Sequence, residues 1–333
     1  MTCLKSGPWR FARALAGGAA LAVALLAAPA VMAQTDYPNR TVRVIVPFAP
    51  GGPTDILARL VAAGLEKSLG QSFVIENQAG ASGNIGMANV ARSEPDGYTL
   101  LISSSALTAN PGLFKQVPYD AEKDFAPIAE LGTSPNAFVA HPDAGITSLE
   151  QLVAKSKENP GSLNIAVPGI GTTPHLSGEL LKLRAGIDIV NILYQGAGPS
   201  IQAVLSGTTQ TAVTALPPAH PHIKSGALIG LAVTGAERWP DLPDVPTMEE
   251  LGYEDFVLET VIPFLAPAGT PKEIVDLLAK ASIEVLQQPD VLKRAQDAGF
   301  QVLAGGPDVL KARIEREVPA YKKLIDDAGI ERQ

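Results

Sequence analysis

Three stretches of this sequence place glycine, proline and hydroxyl residues where a strand would run into a helix. They are Pro50-Gly51-Gly52-Pro53-Thr54-Asp55, Gly169-Ile170-Gly171-Thr172-Thr173-Pro174 and Gly196-Ala197-Gly198-Pro199-Ser200. The first N–H groups of a helix have no intrahelical partner, and the aligned peptide dipoles put partial positive charge at that end. Glycine lets a guest approach the backbone closely, and threonine or serine adds hydroxyl donors. This combination suits the holding of a carboxylate or phosphate without Arg or Lys. One helix end contributes about 0.3–1 kcal/mol when exposed and up to about 2 kcal/mol when partly buried, so several ends meeting in a dry cleft would hold a small anion. Any one such loop is also an ordinary helix start; the recurrence is what points to a cleft.

Other chemistry finds less support. There is no G-x-x-x-x-G-K-[ST] loop. Gly196-Ala197-Gly198 leads to Ile201, and Gly169-Ile170-Gly171 to Pro174, where a dinucleotide fingerprint needs glycine. No cofactor is expected. No G-x-S-x-G elbow, H-E-x-x-H motif or nucleophile–base pair stands out, so the chain is not read as an enzyme. The four histidines are His141, His175, His220 and His222. His175, beside Thr172 and Thr173, either touches a ligand or packs and caps its helix. His220-Pro221-His222 reads as a solvated loop, since no third metal ligand is evident. Asp55 either meets a polar group of the ligand or favours its own helix N-terminus by charge.

The elements that must position these residues follow a repeated strand–loop–helix grammar. Val42 to Val46 alternates as a strand. Thr54 is the expected cap of a helix carrying Ile56, Leu57, Leu60, Val61 and Leu65, stopped by Gly70. Phe73 to Ile75 is the next strand, a glycine-rich loop (Gly80 to Gly86) opens a short helix to Arg92, and Tyr98 to Ile102 ends in Ser103-Ser104-Ser105. A second block repeats this order. Capping-box signals at Thr147 and Ser148 open the helix Leu149–Lys157, and strands at Leu163 to Val167, Ile189 to Leu193 and Thr211 to Thr214 alternate with helices at Pro174 to Arg184 and up to Leu205. Thr270-Pro271-Lys272-Glu273 opens a long helix to Gln288, and Pro307 opens another that Pro319 should kink. Alternating βα units predict α/β lobes, each a mostly parallel sheet flanked by helices. Phe125 to Leu131 with Asn136 to Ala140, and Val257 to Ala266, read as crossing segments. The first lobe would then hold residues 34–132 and 258–333, and the second 133–257.

Composition narrows the class. Residues 1–33 read as a secretory signal, with Lys5, Arg10 and Arg13 before the apolar run Ala14 to Ala28 and a cleavage site at Val31-Met32-Ala33. Its three basic residues removed, the net charge goes from −8 to −11. That argues against a nucleic-acid binder and against adhesion to an anionic membrane surface. No later apolar run approaches the ~20 residues needed to span a bilayer. The single cysteine, Cys3, lies in the signal, so an exported chain would hold itself together without disulfides. Its 31 glycines and 28 prolines punctuate short elements, and no internal repeat is found.

Several motifs occur together and in order. They are Pro47-Phe48-Ala49-Pro50-Gly51-Gly52-Pro53-Thr54-Asp55 with Ala58-Arg59, Asn77-Gln78-Ala79-Gly80-Ala81-Ser82-Gly83-Asn84-Ile85-Gly86, Pro95-Asp96-Gly97-Tyr98-Thr99-Leu100 and Gly171-Thr172-Thr173-Pro174-His175-Leu176. Leu242-Pro243-Asp244-Val245-Pro246-Thr247 and Ala266-Pro267-Ala268-Gly269-Thr270-Pro271 follow. From about Tyr37 to Ile330 the chain resembles the Bug-type (TctC-like) extracytoplasmic solute receptors of tripartite tricarboxylate transporters. The resemblance implies a periplasmic, two-lobed Venus flytrap, monomeric, that closes on a small carboxylate and delivers it to membrane permease subunits; sensing, or a hydrolase or isomerase on the same scaffold, are the competing functions. It implies ligand contacts at Phe48, Pro50, Gly51, Gly52, Thr54 and Asp55 in one lobe and at Gly171, Thr172, Thr173 and His175 in the other. Ser82, Asn84, Ser104, Tyr194, Gly196, Ala197 and Thr214 would line the rest. Two positions depart from the family pattern. Pro53 stands where a third glycine is common and removes a backbone donor, and Gln195 stands where lysine is frequent.

Overall fold

The structure is a computed structural model that describes residues 1–3 and 37–333; apart from its first three residues, the expected signal peptide lies outside the described residues. Strand β1 (Val42–Val46) runs through the loop 47–52 into helix α1 (Pro53–Leu69). The helix starts two residues earlier than its threonine suggests. Gly52 is the N-cap, in extended backbone, and Pro53 takes the first helical position, where its missing N–H would have had no partner anyway. Leu57, Leu60, Val61 and Leu65 form the buried face, and Gly70, at φ 71°, ends the helix with its N–H on the Glu66 carbonyl. The first block continues with β2 (Phe73–Asn77), α2 (Asn84–Ala91), β3 (Thr99–Ile102) and α3 (Ala106–Leu113). β2 and β3 lie parallel on either side of β1.

A 16-residue strand, β4 (Phe125–Ala140), leads out of this block. It is followed by α4 (Leu149–Glu158), β5 (Asn164–Val167), α5 (Thr173–Ala185), β6 (Val190–Leu193), α6 (Ala197–Leu205), β7 (Thr211–Ala215), α7 (Leu216–Lys224) and β8 (Ile229–Val233). β9 (Glu259–Pro267) returns, and α8 (Lys272–Leu286), α9 (Pro289–Asp297), β10 (Gln301–Gly305) and α10 (Pro307–Asp327) complete the chain. The strand order is β2-β1-β3-β9-β4-β7-β5-β6, with β8 and β10 also paired to β4. Residues Phe125 to Pro135 of β4 pair with β9, whereas from Asn136 onward β4 pairs with β7 and, over Ala137 to Ala140, also with β8. The two expected crossing pieces are therefore one strand that changes partner between Pro135 and Asn136. Each half has a parallel core, β1 with its neighbours and β5 with β6 and β7, to which β4, β8, β9 and β10 add antiparallel strands.

Both faces of each half are covered. α1 and α8 pack Leu57, Val61, Leu278 and Val285 against Ile128 and Phe264, and Met87, Leu107 and Leu310 cover Ile45 and Leu101 on the other face. In the second half Leu152, Leu181 and Phe256 pack on Phe138 and Val167, with Ile201, Val204 and Leu216 opposite against Val139. A smaller cluster of Ala109, Leu113, Leu176, Tyr321 and Ile325 joins α3, α5 and α10.

Two local expectations are corrected. Thr270 does not cap α8; the N-cap is Pro271, and the Thr270 hydroxyl donates to the Pro267 carbonyl at 2.8 Å. His220-Pro221-His222 is not a loop but part of α7, with His220 buried, because Pro217 and Pro218 occupy the first turn, where no helical N–H bond is lost. α10 continues through Pro319 to Asp327. Among the described residues no helix is long and apolar enough to cross a membrane.

Candidate functional site

The three glycine turns meet. Their residues line a cavity of about 30 Å³ formed by Phe48, Gly52, Pro53 and Thr54 from the first turn, Thr172, Thr173 and Pro174 from the second, and Gly196 and Ala197 from the third. Ser104, Pro168, Ala215 and Thr260 complete the wall, which contains no ionisable side chain. Five helices begin here. Gly52, Thr172, Gly196 and Ala215 are the N-caps of α1, α5, α6 and α7, and Ser104 immediately precedes the N-cap of α3. First-turn N–H groups and the positive ends of the helix dipoles are thus the only strong electrostatic features of the wall, and they favour an anion. Pro53 at the first position of α1 and Pro174 near the start of α5 each remove one donor and fix φ, leaving the adjacent N–H groups of Thr54 and Thr173.

The hydroxyls are differently employed. Thr172 donates to the Gly169 carbonyl at 2.8 Å and accepts from the His175 N–H at 3.4 Å, so it caps α5. Thr173 and Thr260 face each other at 2.6 Å, and both reach Asn136 Oδ1. Ser104 accepts from the Ala106 N–H at 3.2 Å. Beside this cavity lies a second of about 80 Å³, sharing Phe48 and Pro168 and lined further by Ala79 to Gly83, Gly169, Tyr194 and Gln195. Pro50 and Gly51 lie outside both, on an open groove with Gly198 and His222.

The remaining expected contacts line neither cavity. The Asp55 carboxylate accepts from the Gly51 N–H, Arg59 Nε and Asn77 Nδ2, each at 3.0 Å. Burial pushes its pKa up, but these hydrogen bonds outweigh burial and hold it below the ordinary carboxylate value. Asp55 is therefore the brace of the first glycine turn, not a free group facing a ligand. Asn84 Oδ1 accepts from Asn110 Nδ2 at 2.7 Å. Gly171, at φ 80°, lies so close to Asn110 that a Cβ would sit 2.2 Å from Oδ1. His175 Nδ1 accepts from the Gly171 N–H at 3.4 Å, and burial lowers its pKa, so it serves its own loop as the neutral imidazole. Thr214 is wholly buried on β7.

Sequence reasoning missed Thr260, Ala215 and Asn136. No local signal marked Thr260, which follows Glu259 at the start of β9, or Ala215.

The two halves of the sheet also touch beside the cavity. The Ala49 N–H donates to the Gln195 carbonyl at 3.2 Å. A Cβ on Gly198 would lie 2.6 Å from the Pro50 carbonyl oxygen, so only glycine permits this approach.

The family model described as "Tripartite tricarboxylate transporter family receptor" (TctC) matches residues 57–330. The chain belongs to this family. It is similar to BugT of Bordetella pertussis (strain Tohama I), at 38% identity over 314 residues covering 94% of this chain and 96% of that one. Its fold is that of the periplasmic binding proteins, two α/β lobes flanking a cleft. BugD, a periplasmic binding protein, superposes with a TM-score of 0.87 at 35% identity, covering 89% of this chain and all of that one. Rpa4515 of R. palustris, solved with adipate, gives 0.86 at 34% identity over 90% of this chain and 100% of its own.

Proposed function

We propose that this receptor captures a small carboxylate between two lobes in the periplasm and presents it, as a monomer without catalysis of its own, to the membrane subunits of a tripartite tricarboxylate-type transporter. One observation carries the reading: five helix N-termini surround a cavity with no ionisable side chain, an arrangement that stabilises negative charge and offers no nucleophile–base pair. Its similarity to a relative solved with adipate supports the ligand class. In this reading Gly52, Thr54, Thr173, Gly196 and Ala197 hold a carboxylate through backbone N–H groups, Phe48 and Ser104 close the wall, and Ser82 and Tyr194 meet the rest of the molecule in the adjoining cavity. Residues 34–132 and 258–333 form one lobe and 133–257 the other, hinged where β4 changes partner. Ligand contacts available only in the closed form bias the equilibrium toward closure.

The test is a melting-temperature panel of acetate, succinate, adipate and citrate against adipamide, the uncharged isostere of adipate, with native mass spectrometry of freshly purified protein. An acid present at 100 times its Kd adds about 2.7 kcal/mol of stability, which raises the melting temperature by roughly 5 °C or more in a protein of this size. The bound acid is recovered chemically unchanged. Equal stabilisation by adipamide, or none by any acid, would overturn the carboxylate reading.

A further inference from the structure

At the point where β4 changes partner, a single buried carboxamide connects the anion site to both crossing strands. Pro135 is the last residue of β4 paired with β9, and Asn136 is the first paired with β7. Asn136 is fully buried and does not line the cavity. Both polar atoms of its side chain are nevertheless hydrogen-bonded. Nδ2 donates to Ser177 Oγ at 3.0 Å and to the Leu258 carbonyl at 3.1 Å, and Oδ1 lies within hydrogen-bond reach of the Thr173 and Thr260 hydroxyls, at 3.3 Å and 3.1 Å. Ser177 in turn donates to the Thr173 carbonyl at 2.9 Å, and the Thr234 hydroxyl bonds both the Asn136 N–H and the Leu258 carbonyl.

Proton counting assigns the threonines a role. Thr173 and Thr260 have one hydroxyl proton each. Their 2.6 Å contact requires one to donate to the other, and the second proton then goes to Asn136 Oδ1. Both donors are committed within the network, so neither hydroxyl is left to donate to a carboxylate. What Thr173 offers a ligand is its main-chain N–H at the first position of α5, and the direction of that N–H depends on what holds the first turn. Asn136 holds that turn through Ser177 and through the bonded Thr173–Thr260 hydroxyl pair, while the same carboxamide holds the start of β9 through the Leu258 carbonyl. An apolar side chain of similar size would take one bond from this closed network at each contact and leave one threonine hydroxyl proton without its acceptor.

We propose that Asn136 is a positioning residue for carboxylate binding: it fixes the N-terminus of α5 to the two crossing strands, so that the backbone donors of the site face the anion only when the hinge is in its closed setting. This rests on the carboxylate reading above. A purely structural Asn136 would cost stability and leave the dissociation constant of the folded protein unchanged; a positioning residue changes both the constant and the hinge equilibrium.

The experiment uses Asn136→Ala, Ser177→Ala and Thr260→Val with Thr260→Ser as the hydroxyl-retaining control. The probe is adipate, or whichever of acetate, succinate and citrate binds the unmodified protein best. Calorimetric Kd, melting temperature, and radius of gyration from small-angle scattering with and without the acid are read for each. The expected result is a Kd raised at least tenfold in Asn136→Ala and about threefold in Ser177→Ala, which removes only the Ser177 link between Asn136 and the first turn of α5. Thr260→Ser stays near wild type while Thr260→Val does not, and the ligand-induced contraction is reduced in Asn136→Ala. Should Asn136→Ala not fold, Ser177→Ala and the Thr260 pair decide the matter by the same readouts. Lower melting temperatures with wild-type Kd and contraction would overturn the positioning role and leave the carboxylate reading standing. Absence of binding by the unmodified protein to all four acids would overturn that reading instead, and this proposal with it.

Discussion

At the scale of single residues, the acid-sensitive element of the site is an imidazole that never touches the cavity. His175 Nδ1 accepts from the Gly171 N–H, so the ring must be neutral with its proton on Nε2. Burial is the main cause of its lowered pKa; Lys182 pushes the same way and Glu179 opposes them. In the unfolded chain a histidine titrates near 6.5, so between that pH and the lower folded value the unfolded state binds more protons. The stability His175 contributes is complete above about pH 6.5 and is lost as the pH falls from there toward the folded value. Protonation would set an N–H against the Gly171 N–H and release the turn that Thr172 caps. Carboxylate affinity is therefore expected to weaken as the pH is lowered from about 7 to about 5, beyond any change due to protonation of the ligand. In His175→Asn, which keeps a short acceptor, that dependence should flatten. Parallel pH profiles for the two proteins, measured with one acid by calorimetry, would remove His175 from this role.

At the scale of elements, the glycine turns were legible because their cause is local. Strand alternation, N1 proline and C-cap glycine all act within a few residues, which is why β1 with α1 and β5 with α5 were readable. The wall formed by Thr260 and Ala215 was not, because those residues reach the cavity only through the partner change of β4 some 80 to 120 residues away in sequence. Two elements were hidden. Pro217, Pro218 and Pro221 disguised α7 as a loop, and Gly132 to Pro135 made β4 look like two pieces, although one strand runs through them, with Pro135 still paired to Glu259. Asp55 shows a further limit, since the charge pattern that suits a ligand contact also suits the brace that it forms. The contact between the first and third turns yields its own expectation. A methyl group on Gly198 would meet the Pro50 carbonyl at 2.6 Å, and because that oxygen belongs to backbone it cannot swing aside as a side-chain tip would. Gly198→Ala should leave the melting temperature of the ligand-free protein within about 1 °C, the cost being confined to the closed contact, and should raise the Kd for the bound acid roughly tenfold, equivalent to about 1.4 kcal/mol. An unaltered Kd would show that the turns need not meet for binding.

At the scale of the whole molecule, the volume between the turns sets how a ligand arrives. A cavity of about 30 Å³ admits about two waters, and no dicarboxylic acid, by the measure in which one water needs roughly 10–15 Å³. The adjoining 80 Å³ space is separated from it by Phe48 and Pro168. An acid spanning both must enter while the turns stand apart, and among the described residues β4 is the strand that pairs into both halves, on either side of Pro135/Asn136. Rotation about Pro135/Asn136 and the neighbouring end of β9 would part the turns without disturbing either core, since each half keeps its own two buried clusters. The cluster of Leu113, Leu176 and Tyr321 across α3, α5 and α10 would have to slide or part, which gives the open form an energetic cost and the closed form a defined end point. Scattering from the protein without residues 1–33 should therefore give a radius of gyration above the roughly 19 Å of a compact chain of 300 residues. Saturation with the bound acid should bring it down to that value. In Gly198→Ala the same acid should leave a larger radius at equal occupancy, because the contact that ends the movement is blocked. Identical radii with and without ligand in the unmodified protein would mean that the acid enters by side-chain movement alone and that the partner change in β4 is not a hinge.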